Sequence, residues 1–512
     1  MKAFEEEEKS SYKDLKKRQG EFVKTMRADE RAQKIRERRF QNENSAPCSF
    51  EVPLTTQADP SYAGITTEVL NQLMNAPVAA EHLETYLTLL VSEEPLKIFQ
   101  GIISLRTLLV NKIPGVIQTV VEHPSLNTVI SLAAQESKPF LRMEALWTMA
   151  NLLVGSTTQT GTLLRRGILP ILFDALKSKF PKIVEHAIWA IGNIASDCSE
   201  FRTQVVALDQ QRDYQLLKIL ASGSEEVREV SVWVISSICR LKPNKENIAN
   251  MEPYIKGLLT MLVSKEGERM EIATDCVLGL QNCVKSSVID LFNQPEIFQR
   301  LKMLYHSTII DTKLDLFSPL HSIIGGLTSG PDEYIEFLLK QNFLPDFVKV
   351  LLNTKNKSHQ KEISWILANV ALSKEAHQQA LLAEPGLIDK LLELSTDKDA
   401  DVANEAFWVF CNLCKGQSSP VLSILMDKGL IQLFASALKA ESDTNRLLLA
   451  LEAIKEVLQA GDDKKENGKN PLVKIFLESG LAELIEQNQM NESQEVYEKA
   501  QSILETYFET DD

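Results

Sequence analysis

One segment recurs along the chain about every 43 residues, and this period constrains the fold more than any other feature. Its first three copies are E-A-L-W-T-M-A-N (144–151), H-A-I-W-A-I-G-N (186–193) and V-S-V-W-V-I-S-S (230–237). Four further copies are D-C-V-L-G-L-Q-N (275–282), S-P-L-H-S-I-I-G (318–325), E-I-S-W-I-L-A-N (362–369) and E-A-F-W-V-F-C-N (405–412). The fourth position is occupied by Trp147, Trp189, Trp233, Leu278, His321, Trp365 and Trp408. All five tryptophans lie on this ladder, which indicates a repeat array.

The period extends back to L-R-T-L-L (105–109) and forward to L-E-A-I-K-E-V-L (451–458), with a weaker unit after residue 471. Residues 80–508 therefore hold about ten units of the length of armadillo or HEAT repeats. The segments between them, such as G-I-L-P-I-L-F-D-A-L (167–176), begin with Gly and continue with helical periodicity. A Gly-led helix followed by a Trp-bearing helix is the armadillo pattern. We predict an all-α, right-handed superhelical solenoid of about ten armadillo repeats with a flexible basic N-terminal arm.

Five segments are expected along the chain. They are a basic arm (1–44), a linker (45–79), repeats 1–9 (80–460), a polar loop (461–470) and the last repeat with an acidic tail (471–512). The loop G-D-D-K-K-E-N-G-K-N has six residues between its glycines and no Ser or Thr after Lys469, so it is not a phosphate-binding loop.

Charge is divided unevenly between the arm and the body. The net charge is −15, and residues 1–44 carry +3, which leaves −18 for the rest. A nucleic-acid binder needs a basic face for phosphates, so an acidic body argues against that class and favours a cationic partner. Acidity also serves solubility alone, and that alternative stays open.

Other classes of protein find little support. No hydrolase, metalloprotease, dinucleotide-binding or kinase signature is present, so we expect no enzyme and no cofactor. The seven cysteines are scattered, and the Cys411/Cys414 pair lacks a second ligand pair, so we expect free buried thiols and no metal. No apolar run reaches the length of a membrane span and the N-terminus is charged, which predicts a soluble intracellular protein.

Trp at one position and Asn four residues later lie on one helix face. Stacked helices carrying this pair would offer a row of indoles beside a row of carboxamides. Carboxamides can bond a peptide backbone of any sequence, while indoles hold the stems and cationic heads of Lys and Arg. The pattern favours a groove for an extended basic peptide. The alternative is that each Trp is a core residue and each Asn a local cap.

The segments W-T-M-A-N-L-L-V-G-S-T-T-Q-T (147–160) and W-A-I-G-N-I-A-S-D (189–197) resemble the second and third repeats of the importin-α family. Members of that family bind basic nuclear localisation signals of cargo proteins and link them to importin-β. The resemblance implies that Asp197 pairs with the key lysine of the signal, in a pocket completed by Gly155 and Thr160. The full major site that it implies is Trp147, Asn151, Gly155, Thr160, Trp189, Asn193, Asp197, Trp233, Ser237 and Arg240.

The resemblance also implies a minor site on later repeats, made of His321, Trp365, Asn369, Glu405, Trp408 and Asn412. Three positions depart from the family. Ser237 replaces the Asn of the fourth repeat, and His321 and Gly325 stand where the sixth repeat usually has Arg and Asn. We therefore expect a weakened minor site and a shortened major one. His321 could act as a pH switch, but a structural histidine is favoured.

Both ends of the chain carry further expectations. The basic arm could fold, bind nucleic acid or serve as its own nuclear signal. The resemblance implies instead that it binds importin-β and, through I-R-E-R-R-F (35–40), occupies the groove; Glu37 interrupts this cluster. The basic residues concerned are Lys16, Lys17, Arg18, Lys24, Arg27, Arg31, Arg36, Arg38 and Arg39. At the other end, Glu495, Tyr497 and Lys499 match a repeat that contacts the recycling exportin with Ran-GTP.

The expected function is nuclear import, with shuttling between cytoplasm and nucleus, no direct nucleic-acid binding and no membrane insertion. Two other hypotheses stay open: an armadillo scaffold of adhesion or signalling, and a divergent importin-α paralogue with few cargoes or impaired importin-β binding.

Overall fold

The computed structural model describes residues 53–54, 64–111, 113–240, 247–284, 288–415, 419–439, 443–462, 465 and 470–508. Across these ranges the regular elements are all helices. They form two compact units, which we call the first unit (described residues up to Cys283) and the second unit (described residues from Val284). The basic arm, including Glu37, and the tail after Phe508 lie outside the described residues.

The first unit contains fourteen described α-helices. They are α1 (Thr67–Asn75), α2 (Leu83–Leu89), α3 (Pro95–Val110), α4 (Val116–Glu122), α5 (Leu126–Ala134), α6 (Pro139–Leu152), α7 (Thr157–Arg165), α8 (Ile168–Ala175), α9 (Pro181–Asp197), α10 (Ser199–Gln211), α11 (Gln215–Ser222), α12 (Glu225–Ile238), α13 (Ile248–Val263) and α14 (Met270–Leu280). Short 3-10 turns lie at Ala80–His82 and Glu266–Glu268.

The second unit also contains fourteen described α-helices. They are α15 (Pro295–Ile310), α16 (Phe317–Thr328), α17 (Asp332–Lys340), α18 (Phe343–Asn353), α19 (Lys357–Ala371), α20 (Glu375–Ala383), α21 (Leu387–Leu394), α22 (Ala400–Lys415), α23 (Ser419–Lys428), α24 (Leu430–Ala437), α25 (Thr444–Asp462), α26 (Pro471–Glu478), α27 (Leu481–Gln487) and α28 (Gln494–Tyr507). Its 3-10 turns are Ile289–Phe292, Thr312–Leu314 and Asn488–Met490.

One helix of each repeat carries the recurring segment, and we call these the ladder helices: α3, α6, α9, α12 and α14 in the first unit, and α16, α19, α22, α25 and α28 in the second. Within each unit every ladder helix packs on the next one in this order. Side-chain bonds between them join residues 43 or 44 positions apart, so neighbouring ladder helices run parallel and in register. The predicted all-α armadillo fold is confirmed; the superhelical handedness stays a prediction.

The Gly that opens many intervening helices has a backbone reason. The residue directly before α8 is Gly167 with φ 77°, and Gly429 before α24 has φ 106°. Positive φ is strained for residues with a Cβ, so Gly is favoured where the chain turns sharply from one helix into the next. Tyr214 and Asn342 take the same left-handed conformation before α11 and α18, so residues other than Gly also occur at this position.

Part of the predicted linker is folded, which corrects the expectation for 45–79. Helix α1 begins after Thr66, whose hydroxyl accepts a bond from the Val69 N–H, and its Leu70 is buried against the repeats. Farther upstream, the Pro53 carbonyl accepts a bond from the Phe140 N–H at 3.2 Å. A two-turn amphipathic helix lacks the 43-residue pattern, so the period could not reveal it.

Within the described ranges no single helix has the length and hydropathy of a membrane span. One pair, Pro420–Lys428 with Leu430–Ala437, passes that test together by length and composition but is bent by 70°.

Candidate functional site

A pocket forms around Asp197, the last residue of ladder helix α9. The Thr157 hydroxyl donates to Asp197 Oδ1 at 2.6 Å, and the Thr160 hydroxyl donates to Oδ2 at 2.8 Å. Gly155 lies in the turn before α7, where an added Cβ would be 2.3 Å from Gln159 Oε1. That amide oxygen accepts from the Ser156 N–H and completes the cap of α7. The structure thus brings Gly155, Thr160 and Asp197 together and adds Thr157.

The pocket is electrostatically suited to a cation. The carbonyl end of a helix carries a partial negative charge, and α9 ends at Asp197. The carboxylate adds a full negative charge at a place where the helix itself disfavours one. The two threonine hydroxyls each use one lone pair of a carboxylate that offers about four acceptor positions. Asp197 is partly exposed, so a ligand can reach it.

The ladder asparagines tie neighbouring ladder helices together. Asn193 Nδ2 donates to the Ala150 carbonyl at 2.9 Å, and Asn412 Nδ2 donates to the Ala368 carbonyl at 2.9 Å. Both side chains are nearly inaccessible, with 2% and 1% exposure. Asn151 differs because it is partly exposed and its buried Nδ2 has no acceptor among the described residues. The carboxamide donors of Asn193 and Asn412 therefore serve the scaffold, although they bond the preceding ladder helix and are not the local caps of the alternative hypothesis.

The indoles are more buried than an open groove requires. Trp147 and Trp233 are 5% exposed and Trp365 is 7% exposed, whereas Trp189 and Trp408 are partly accessible. The ring centroids of Trp189 and Trp233 are 4.8 Å apart. A methylene stem between two rings needs about 7–8 Å, since each carbon–carbon contact takes about 3.5–4.0 Å. The rings of Trp189 and Trp233 therefore leave no room for a methylene stem between them in this structure.

Trp147 is covered by side chains of the two adjacent ladder helices. The guanidinium carbon of Arg106, from α3, lies 4.2 Å from the Trp147 ring centroid. The ring of His186, from α9, stacks on Trp147 at 4.8 Å with an interplanar angle of 13°. Arg106 Nε donates to the fully buried Glu144 at 3.0 Å. None of Arg106, Glu144 and His186 was predicted as a site residue, although Glu144 and His186 each precede a ladder Trp by three positions on the same helix face.

The imidazole of His186 is neutral at physiological pH. Burial, together with the positive charges of Lys182 and Arg106, lowers its pKa to about 3. A neutral ring can stack on the indole without adding a charge that would repel the guanidinium on the same Trp.

Ser237, in the fourth repeat, lies below the surface of the predicted major site. Its side chain is fully buried, and its hydroxyl has no partner within the ranges that the structure describes. Trp233 on the same helix packs over Gly192, where a Cβ would be 2.0 Å from the indole. Arg240 follows the end of α12 and is partly exposed. Ser237 itself is too buried to contact a peptide.

His321 is not a surface residue of the minor site, contrary to the prediction. It is completely buried, and its ring nitrogens lie 2.8 Å from the Tyr305 hydroxyl and 2.8 Å from Glu362. Glu362 also accepts bonds from the hydroxyls of Ser318 and Ser358. The histidine is structural, and it engages a carboxylate that could otherwise face a ligand.

The sixth repeat is shifted by one residue from the alignment in the sequence. Trp365 packs over Gly325 as Trp233 packs over Gly192, and Asn369 donates to the Gly325 carbonyl. Gly325 therefore corresponds to Gly192, the position before the ladder Asn. The ladder positions of α16 are the partly exposed Ser322 and Gly326 rather than His321 and Gly325.

Glu405 is the candidate carboxylate that the minor site retains. It is 5% exposed, and burial raises its pKa to about 8. Its Oε2 atom has no hydrogen-bond partner among the residues described. Trp408 lies one turn away and is partly exposed, while Asn369 and Asn412 are both 1% exposed. Burial favours the uncharged form of this carboxyl, and a nearby cation would favour its ionised form.

The predicted export-receptor residues lie on α28. Glu495 is exposed, Tyr497 is partly exposed, and Lys499 pairs with Glu452 at 2.8 Å. Their role stays a prediction, as does that of the arm residues Lys16 to Arg39, which lie outside the described residues.

Two family models match parts of the chain. A model of the armadillo/beta-catenin-like repeat matches residues 157–196, and a model of an atypical Arm repeat matches residues 470–512. The first match contains Thr157 and Thr160 and ends one residue before Asp197.

Curated relatives cover most of the chain. Importin subunit alpha-1b of Oryza sativa subsp. japonica is 24% identical, with 77% of this chain and 72% of the relative covered. Importin subunit alpha-8 of Arabidopsis thaliana is 22% identical, with 76% and 86% covered. Among solved structures, the crystal structure of an engineered protein has a TM-score of 0.67 at 21% identity and covers 83% of this chain and 98% of its own. That structure supports the fold alone, and the relatives support the family resemblance.

Proposed function

We propose that this chain, a member of the importin-α family, is a nuclear import adaptor that binds lysine- and arginine-rich nuclear localisation signals of cargo proteins along its ladder helices and links them to importin-β. The proposal includes shuttling between cytoplasm and nucleus, with return by an exportin and Ran-GTP. It includes neither an enzymatic activity nor direct binding of nucleic acid.

The pocket at Asp197 carries the proposal. A carboxylate held at both oxygens by Thr157 and Thr160, at the carbonyl end of α9, attracts a compact cation and offers it charge-assisted bonds. The strongly acidic body adds long-range attraction for a basic peptide. A lysine side chain is the ligand that combines this charge with a flexible stem.

The second unit supplies a further, weaker reason. Glu405 is buried beside the partly exposed Trp408, which pairs a carboxyl with an aromatic face in the way that a basic side chain requires. Glu362 on the preceding ladder helix is already bonded to His321 and two serines. The ladder helices of the second unit therefore offer a basic side chain fewer carboxylate acceptors than the number of their acidic residues suggests.

A second candidate function is that of a divergent importin-α paralogue with a restricted set of cargoes. It is favoured by the contact between Trp189 and Trp233, the burial of Ser237, and the Ser322 and Gly326 ladder positions. Both candidates share the Asp197 pocket and differ in how many basic side chains they accept.

Titration of the full chain with a fluorescent lysine-rich signal peptide tests the proposal. We expect micromolar or tighter binding, loss of that binding in Asp197→Lys, and retention in the matched control Asp427→Lys, which changes an exposed aspartate on α23. Undiminished binding by Asp197→Lys would move the site elsewhere. Absence of binding by the unaltered chain, with importin-β present to engage the arm, would refute the adaptor function.

A further inference from the structure

The first unit offers one strong anchor for a basic side chain. It also contains two ring pairs between neighbouring ladder helices that are too close to admit a side chain, and we call these pairs closed aromatic steps. The anchor is Asp197 with its two threonines. The steps are Trp147 with His186, and Trp189 with Trp233, each with ring centroids 4.8 Å apart. Neither separation admits a lysine stem, which needs about twice the ordinary carbon–carbon contact distance of 3.5–4.0 Å.

Each closed step is held by packing on more than one side. His186 is 2% exposed, and Arg106 covers the same Trp147 while bound to Glu144. Trp233 lies over Gly192, where the absence of a Cβ lets the indole approach the backbone of α9. Opening either step would require moving a buried ring, and protein interiors resist such movement because they are close-packed.

We propose that His186 and Trp233 make this site a reader of a single lysine, anchored at Asp197, rather than of a run of basic residues. The inference rests on the proposed function and names the specificity of the same site. A basic residue beside the anchor meets the partly exposed face of Trp189 or the acidic surface and gains only what an exposed ion pair provides.

The single-lysine inference has a quantitative consequence. An exposed ion pair changes affinity by about fivefold or less, whereas removal of a partly desolvated anchor changes it far more. A peptide with five lysines therefore exceeds a peptide with one lysine through a modest gain from each exposed ion pair and through the number of registers in which one lysine can reach Asp197.

The test compares nine-residue peptides that carry one, two, three or five consecutive lysines in an otherwise neutral sequence, titrated against the full chain at 0.15 M and 0.3 M salt and followed by NMR for weak binding. We expect each added lysine to raise the affinity by about fivefold or less. A rise of about tenfold for each added lysine would overturn the inference and leave the adaptor function standing. Failure of every peptide to bind would instead overturn the adaptor function.

A variant tests whether His186 closes the aromatic step at Trp147. His186→Ala removes the ring that stacks on Trp147, and we expect the ratio of three-lysine to one-lysine affinity to increase by about tenfold. The control is His377→Ala, which removes another buried histidine, on α20. An unchanged ratio in a His186→Ala protein with normal thermal unfolding would contradict this role. If His186→Ala does not fold, the peptide series on the unaltered chain still decides.

Discussion

Trp365 lies directly over Gly325, so closely that a Cβ on the glycine would be 1.9 Å from the indole Cζ3 atom. The same relationship joins Trp233 to Gly192 at 2.0 Å. In both places a ladder Trp packs against a glycine of the preceding ladder helix, where no side chain blocks the indole. The two pairs of ladder helices therefore pack in the same way, although their sequences have little in common.

Substitution of either glycine tests that rule. In Gly192→Ala and Gly325→Ala the new methyl group must displace an indole, and overpacking of this kind costs about 1–3 kcal/mol. We expect lower unfolding temperatures and altered tryptophan fluorescence. Gly64→Ala is the control because nothing lies within 4 Å of the added Cβ. Equal unfolding temperatures for all three variants would show that the indoles relax freely.

The ladder asparagines are expected to stabilise the fold even without a ligand. Asn412→Ala removes one of two bonds to the Ala368 carbonyl, which keeps the bond from the Leu372 N–H, so we expect a loss of about 0.5–1.5 kcal/mol, the usual net value of one hydrogen bond. Urea unfolding of the peptide-free protein measures this loss. The exposed Asn71 on α1 provides the control, Asn71→Ala, which should change stability little. A variant that loses only peptide affinity would assign Asn412 to the ligand instead.

The sequence was sufficient for the fold because the 43-residue period and the Gly before the intervening helices both reflect local backbone requirements. The grouping of Gly155, Thr160 and Asp197 came from the resemblance to the importin-α family, and the structure brings the three residues together. The sequence could not determine how open the ladder is. Exposure of Trp147 depends on Arg106 and His186 of the neighbouring ladder helices, and the type of residue at the His186 position differs from repeat to repeat.

The one-residue error at His321 has a similar origin. The segment S-P-L-H-S-I-I-G-G contains no Trp and two adjacent glycines, so two alignments with the ladder are equally good in sequence. Only the seating of Trp365 on Gly325 and the bond from Asn369 to the Gly325 carbonyl distinguish them.

Stability at acid pH should depend on His186. Its pKa is about 3 in the folded chain and about 6.5 when exposed, so the unfolded chain binds the extra proton between these values. The contribution of His186 to stability is therefore complete above pH 6.5 and declines as the pH falls toward 3, by about 1.4 kcal/mol per pH unit. His186→Gln lacks this decline. Thermal unfolding from pH 7 to pH 4 compares the two, and parallel curves would contradict the prediction.

Glu405 should have the opposite effect at higher pH. Burial raises its pKa from 4.5 to about 8, so the folded chain binds the extra proton between pH 4.5 and 8. Stability then falls as the pH rises through this range, because ionisation of the buried carboxyl is unfavourable. Glu405→Gln should unfold at a temperature that depends less on pH between 5 and 8. A variant with the same pH slope as the unaltered chain would show that Glu405 is ionised in the folded protein.

The bonds from Asn193 to Ala150 and from Asn412 to Ala368 each join a ladder helix to the backbone of the preceding one. A repeat that unravels therefore removes a bond from its neighbour, and the loss is passed along the stack. Arrays coupled to their nearest neighbours in this way melt cooperatively. Within each unit, peeling away one repeat at a time is disfavoured, and the repeats should instead melt together in a single steep transition.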